Sequence, residues 1–363
     1  MPSRISPQLH CQSSVASMSL GRAAHHSLSH KLDMAAKYGI KGIELFYEDL
    51  ESYTIEMFQE STPNHLIKAA REIKTMCDDK GLEINCLQPF MHYEGLLDRN
   101  KHAERVEELR LWCTLVRTLG TGLIGLPSSF LNKDEITGDL DVIVCDLQEA
   151  ADVAAEQDPP IRLAYEGEQE IVNRYSKSLL LAALAWGTYV DRWEQSWDIV
   201  QKVQRSNFGL CLDTFNIAAR IYADPTAKSG KTPEAEDEVI ASCRRLKETV
   251  DTSKVFFLQV VDAEQLDQPL VKGHPFYSVD QPARMSWSRN CRLFYGEQER
   301  GAYLPVKQIL KMIVNTLGYR GWLSAELFNR SMADPAPCTP AEHARRAAAA
   351  WKAIIEDIPE CIA

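Results

Sequence analysis

What the 363-residue chain lacks narrows its possible roles first. It has no excess of positive charge: 40 Lys and Arg stand against 51 Asp and Glu, a formal charge of −11. Such a chain repels phosphate backbones, so a dedicated nucleic-acid binder is not expected. No apolar run approaches the roughly 20 residues needed to cross a bilayer. Residues 1–20 hold one early Arg4 and no apolar segment of signal-peptide length, so neither a membrane partner nor a secretory route is expected. The ten cysteines contain no CxxC pair. They read as reduced, mostly buried thiols in a cytoplasmic protein rather than as a disulfide frame or a zinc site. No GxGxxG follows the first strand-like run, and neither a Ser-His-Asp arrangement nor a nucleophile elbow is visible.

What remains is a chain with 45% apolar and 25% charged residues, enough for a real core. Eight short β-rich runs fall at 15–20, 42–47, 82–89, 122–127, 161–166, 208–215, 254–262 and 321–328. Helix-period segments lie between them at 29–38, 62–80, 101–119, 139–157, 193–203, 234–250, 305–317 and 340–355. Gly39, Gly81, Gly120 and Gly318 follow helical runs, where a left-handed cap suits glycine. Thr339-Pro340 with Glu342 close behind reads as a helix start. Several strands, such as Val255-Phe256-Phe257-Leu258, are apolar at consecutive positions, as when helices bury both faces. The alternation predicts a single α/β domain over 1–363, a (βα)8 TIM barrel, with loops at 223–238 and 262–284.

In such a barrel the chemistry sits where the strands end. The last four runs end in one polar side chain each: Glu166, Asp213, Gln259 and Glu326. Four such groups on successive strands converge on one mouth. Three carboxylates in that position repel one another unless a cation neutralises them. An all-oxygen set favours a hard or borderline divalent ion, Mg2+, Mn2+ or Co2+, over thiolate- or imidazole-rich zinc.

Several longer motifs add to this: HKLDMAAKYGIKGIELFYEDLE from His30, LQPFMHYEGL from Leu87 and ALAWGTYVDRWEQSWDIV from Ala183. NFGLCLDTFNIAARIYADP from Asn207 and MSWSRNCRLFYGE from Met285 complete the set. On these motifs, over nearly its whole length, the chain resembles the sugar-phosphate isomerase/endonuclease-IV-like, xylose-isomerase-like barrels. Within them it is most similar to the fungal 3-dehydroshikimate dehydratases of quinate and shikimate breakdown. The resemblance implies metal ligands at Glu166, Asp213, Gln259 and Glu326 and a small-molecule substrate, 3-dehydroshikimate, dehydrated to protocatechuate. Loss of the proton beside the ketone gives an enolate, and departure of a ring hydroxyl aromatises the ring. His92, just past the third strand, is one candidate base; Glu166 and Glu326 are the others. Some bacterial relatives carry a histidine where Asn216 stands. Arg289, with Arg284 and Arg292 as neighbours, is the expected clamp for the substrate carboxylate. Trp186 is a candidate pocket wall, and His274 reads as structural.

Two departures mark this chain. About sixteen residues, 167–182, separate Glu166 from the ALAWG motif that follows it directly in the family pattern, and 7–14 also reads as extra sequence. A surface loop tolerates added length, but a loop rimming an active site positions groups to within about 1 Å. The competing readings are a sugar isomerase or epimerase on the same metal barrel, and a barrel impaired by the insertion. An abasic-site endonuclease would need a histidine-rich zinc cluster and a basic rim, which the four rim positions and net charge oppose.

Overall fold

The computed structural model describes residues 10–166, 188–190 and 192–362. Eight parallel strands close into a barrel: β1 (Gln12–Ala16), β2 (Gly42–Phe46), β3 (Glu83–Gln88), β4 (Leu123–Pro127), β5 (Arg162–Glu166), β6 (Phe208–Asp213), β7 (Val255–Gln259) and β8 (Trp322–Ala325). Each strand pairs with its sequence neighbours, and β1 closes the ring against β8 through Gln12↔Trp322 and Val15↔Ala325. Around it run α1 (Leu28–Lys37), α2 (Tyr47–Phe58), α3 (Pro63–Asp79), α4 (Arg99–Leu119), α5 (Leu140–Ala155), α6 (Trp193–Val203), α7 (Thr214–Ile221), α8 (Ala235–Thr249), α9 (Ala283–Cys291), α10 (Val306–Lys311) and α11 (Thr339–Asp357).

Local chemistry sets many of these boundaries. Thr62 caps α3, with Pro63 in its first turn, and Asp98 and Asp139 cap α4 and α5 through their side-chain oxygens. Gly39, Gly81, Gly120 and Gly318 all take positive φ. The helix predicted near Thr339-Pro340 starts at Thr339, with Cys338 in the N-cap position and no side-chain capping bond.

Three expectations need correction. The first strand begins at Gln12, and Ser17–Leu20 form a 3-10 turn instead of its second half. Residues 12–14 therefore belong to the barrel and not to an extra segment; residues 1–9 and 167–187 lie outside the described residues, as does Trp186. Two helices, α2 and α7, start on the residue that follows the last residue of a strand, with no loop between, so the runs at 42–47 and 208–215 merged strand with helix. Finally, the long loop after β7 gives way to α9 at Ala283, and Asp262–Ala263 pair antiparallel with Arg292–Leu293 within it.

The barrel interior is laid down by the period of two. Cys86, Leu123, Ala164, Cys211, Phe257 and Trp322 form one apolar cluster. Two residues further along each strand, on the same face, come Gln88, Gly125, Glu166, Asp213, Gln259 and Ser324, with Glu44 two past Gly42 on β2. The rung above the apolar plug is thus polar, and it is the floor of the C-terminal mouth. All ten cysteines are free thiols, and eight of them are buried.

Candidate active site

Each of the four sequence-predicted rim residues is on this rung or one step past it: Glu166, Asp213 and Gln259 end β5, β6 and β7, and Glu326 follows β8. Asp213 and Gln259 are register partners. All four are buried. Asp213 also caps α7, its Oδ1 accepting from the Phe215 amide at 2.8 Å, which fixes its carboxylate where strand becomes helix.

A buried arginine links them. Arg292, 1% exposed, donates through Nη1 to Asp213 Oδ2 at 3.0 Å and to Glu326 Oε2 at 2.9 Å. Its Nε reaches Ser288 Oγ at 3.0 Å, and its Nη2 reaches Asn216 Oδ1 at 3.4 Å. The guanidinium lies over Phe215 and Phe328, 4.1 and 4.9 Å from their ring centres, a position that holds its plane. Asn216 passes the link on, donating Nδ2 to Glu166 Oε1 at 2.8 Å.

On the same rung sits Glu44, fully buried. Gln259 Nε2 donates to its Oε1 at 2.6 Å, Gln88 Nε2 donates to the same oxygen, and the Ser324 hydroxyl donates to Oε2. Gln88 also donates to Glu326 Oε1 at 2.8 Å. Gly125 makes room for that side chain: a Cβ there would stand 2.8 Å from the Gln88 Cβ.

The charges do not balance. Burial, then the nearby Glu326 and Asp213 carboxylates, push Glu166 well above the usual carboxylate range against the pull of Arg292. Burial and Glu326 do the same to Glu44. Burial raises Asp213, opposed by Arg292 and by the Phe215 and Asn216 amides. Four buried acidic groups face one ion-paired guanidinium, and the surplus oxygen donors fit a hard divalent cation. A second acidic group, His102 on α4 with Asp146 and Glu149 on α5, has ligand atoms within 4.8 Å of one another. There Arg99 already holds both Asp146 oxygens, at 2.7 and 3.1 Å, and the cluster reads as a tie between the two helices.

The other predicted residues are placed differently. His92 packs edge-on to Phe130, with Ser129 Oγ 3.5 Å from its Nδ1. Burial, seconded by the positive charge of Arg105, pushes its imidazole down to about 3, so it is neutral at cellular pH and a weak proton acceptor. Arg289 donates to Gln281, and burial and Arg22 lower it to about 10. Arg284 is spent on the Ala219 and Ala223 carbonyls at 3.0 and 2.9 Å, tying α9 to α7. His274 accepts from the Phe276 amide, a structural role as expected. The arginine that reaches the carboxylates is Arg292, named from sequence only as a neighbour. Glu44 and Gln88 were missed; the signal for both was the period of two that puts them on the face of the rim residues. A cleft beside the carboxylates is lined by Glu166, Asp213, Asn216, Arg192 and Arg220.

These features define a barrel enzyme with an acidic mouth, and the chain belongs to the family described as xylose isomerase-like TIM barrel, which matches residues 32–354. Within it, the chain is 51% identical over 351 residues to the Neurospora crassa protein named 3-dehydroshikimate dehydratase, covering 95% of this chain and 93% of that one. A Pseudomonas aeruginosa protein of the same name is 30% identical over 318 residues, 88% of this chain but 38% of that longer protein. Among solved structures, the IolI protein, described with a bound zinc atom, superposes with a TM-score of 0.65 at 16% identity, covering 97% of this chain and 99% of that one. At that identity it speaks for the fold alone.

Proposed function

We propose that this chain is a hydro-lyase that converts 3-dehydroshikimate to protocatechuate and water. The observation that carries the reading is the 51% identity to the Neurospora crassa dehydratase across nearly the full length of both chains. The site geometry supports it. Glu166, Asp213, Gln259 and Glu326 are the residues that would hold a divalent cation, Mg2+, Mn2+ or Co2+, which when bound offsets negative charge developing on the substrate ketone oxygen.

The remaining work falls to the chain. Glu166, oriented by Asn216, or Glu326, oriented by Gln88, takes the proton from the ring carbon beside the ketone. Both are better placed than the neutral His92. The electron pair left behind expels the hydroxyl on the next ring carbon, which departs as water with the proton the glutamate has taken, and a second ring proton moves to the ketone oxygen, which leaves the aromatic catechol. Arg292 offers a fixed guanidinium to the anionic substrate, with Arg289 one turn earlier on α9 as its neighbour. The substrate is a small anion, and ten free thiols suit a reducing, cytoplasmic setting.

The test is purified chain with Mn2+ or Mg2+ and 3-dehydroshikimate, followed by the absorbance of the catechol product. Its appearance is the expected result; ligand binding without aromatic product would favour an impaired barrel. A variant lacking residues 167–182 separates the two causes. Turnover that rises on deletion locates the impairment in the insertion, and unchanged turnover removes that concern.

A further inference from the structure

We propose that Glu44 is a positioning residue that aims two of the metal-binding side chains, Gln259 and Glu326. The proposal rests on the metal site described above and goes beyond it, because Glu44 is not among the four residues that would hold the cation.

The argument begins with a side chain that binary patterning does not explain. Glu44 lies in the middle of Gly-Ile-Glu-Leu-Phe, a strand buried at every position. A buried carboxylate is costly unless its lone pairs are filled. Here three donors fill them: the Gln88 and Gln259 carboxamides at Oε1 and the Ser324 hydroxyl at Oε2. Three donors hold its two oxygens, so the carboxyl group has a fixed orientation.

That orientation has consequences for the side chains around it. A carboxamide has a donor end and an acceptor end. With Nε2 of Gln259 held by Glu44, its Oε1 is turned toward β6, where the Cys211 thiol lies 3.6 Å away and Asp213 is the register partner of Gln259. Without the tether the amide is free to reverse and present NH2 toward the other ligands, which a cation cannot use. Gln88, gripped by the same Glu44 oxygen, spends its second donor on Glu326 Oε1 at 2.8 Å, fixing the carboxylate that follows the neighbouring strand β8. One buried acid therefore sets both. Partners of this kind typically cost 10–100-fold in metal affinity when lost.

The experiment titrates metal-stripped protein with Mn2+ alone and counts free Mn2+ by electron paramagnetic resonance, for wild type, Glu44→Leu, Glu44→Gln and Ser324→Ala. Glu44→Gln can accept from both carboxamides through its oxygen and donate to the Ser324 oxygen, so its affinity is expected close to wild type. Glu44→Leu removes both tethers and is expected to bind Mn2+ about 10–100-fold more weakly. Circular dichroism shows whether Glu44→Leu folds; if it does not, Ser324→Ala decides, with weaker Mn2+ binding expected. Equal affinity in wild type and folded Glu44→Leu, or in wild type and Ser324→Ala where Glu44→Leu does not fold, overturns the proposal. A wild type with no tight Mn2+ site overturns the metal reading itself, a distinct outcome.

Discussion

Asp213 and Glu326, on strands β6 and β8 that do not touch, share one nitrogen of Arg292, at 3.0 and 2.9 Å. Removing that cation strands two buried carboxylates beside a third. Arg292→Met is expected to cost about 3–5 kcal/mol in stability, the usual penalty for breaking a buried pair from one side. Urea unfolding measures it. Part of the loss should return with saturating Mn2+, since an ion bound to the native state alone stabilises by mass action. No recovery would show that the carboxylates do not form a cation site. Turnover is expected to remain low even with metal, because Asp213 and Glu326 lose the guanidinium that holds them in place.

Glu166→Gln separates stability from activity. The amide keeps the size of the side chain and removes one of the charges that repel Glu326 and Asp213. Stability is expected to hold or rise, as when a strained catalytic group is neutralised. Turnover is expected to fall by roughly 10²–10⁴, the range for loss of a general base. A fall below ten-fold would move the proton transfer to Glu326.

The strands whose apolar run closes on one polar residue were readable in the sequence, because β5, β6, β7 and β8 each present that pattern with helix on both sides. The true start of β1 was not. Ser14 points its hydroxyl into the lower barrel, where Asn85 donates to it at 2.6 Å, and a strand with a polar inward residue looks like a loop. The helices α2 and α7 were hidden for the opposite reason: each begins where a strand ends, and the apolar pattern runs on without punctuation. Arg292 and Glu44 act through contacts 34 to 280 residues apart in sequence. Only barrel closure makes those pairs neighbours.

Glu94 gives the stability a pH dependence of known sign. Its Oε1 accepts from the Ser129 amide at 2.7 Å and the Tyr165 hydroxyl at 3.2 Å, yet burial outweighs these bonds and pushes it up to about 7. A carboxyl raised on folding binds protons more tightly in the native state. Its contribution is therefore fully present below the unfolded value near 4.5 and is lost as pH rises toward 7. The loss is on the order of 3 kcal/mol. Glu94→Gln removes this titration. Urea midpoints of wild type, measured against Glu94→Gln from pH 5 to 8, should fall with rising pH, and parallel curves would refute the assignment.

Gly125 offers the last test, because it reaches the site through space alone. On β4 it occupies the polar rung, where any side chain would point into the barrel. A Cβ would stand 2.8 Å from the Gln88 Cβ and 3.2 Å from Gln88 Oε1. The near atom is the root of the side chain, so Gln88 cannot clear it by rotating its far end. Gly125→Ala must move β3 against β4 or swing Gln88 off Glu326. Overpacking of this kind costs about 1–3 kcal/mol, read as a lower urea midpoint. Displacing Gln88 also removes its bond to Glu326 Oε1 and leaves that carboxylate less well fixed, and a misplacement near 1 Å can cost up to about 10²-fold in rate. Turnover of Gly125→Ala is therefore expected to fall, although the added methyl touches neither substrate nor cation. Addition of a methyl at Gly122, where nothing lies within 4 Å of the new Cβ, is the control and should leave turnover near wild type. Equal turnover in both alanine variants would show that Gln88 has no part in holding Glu326.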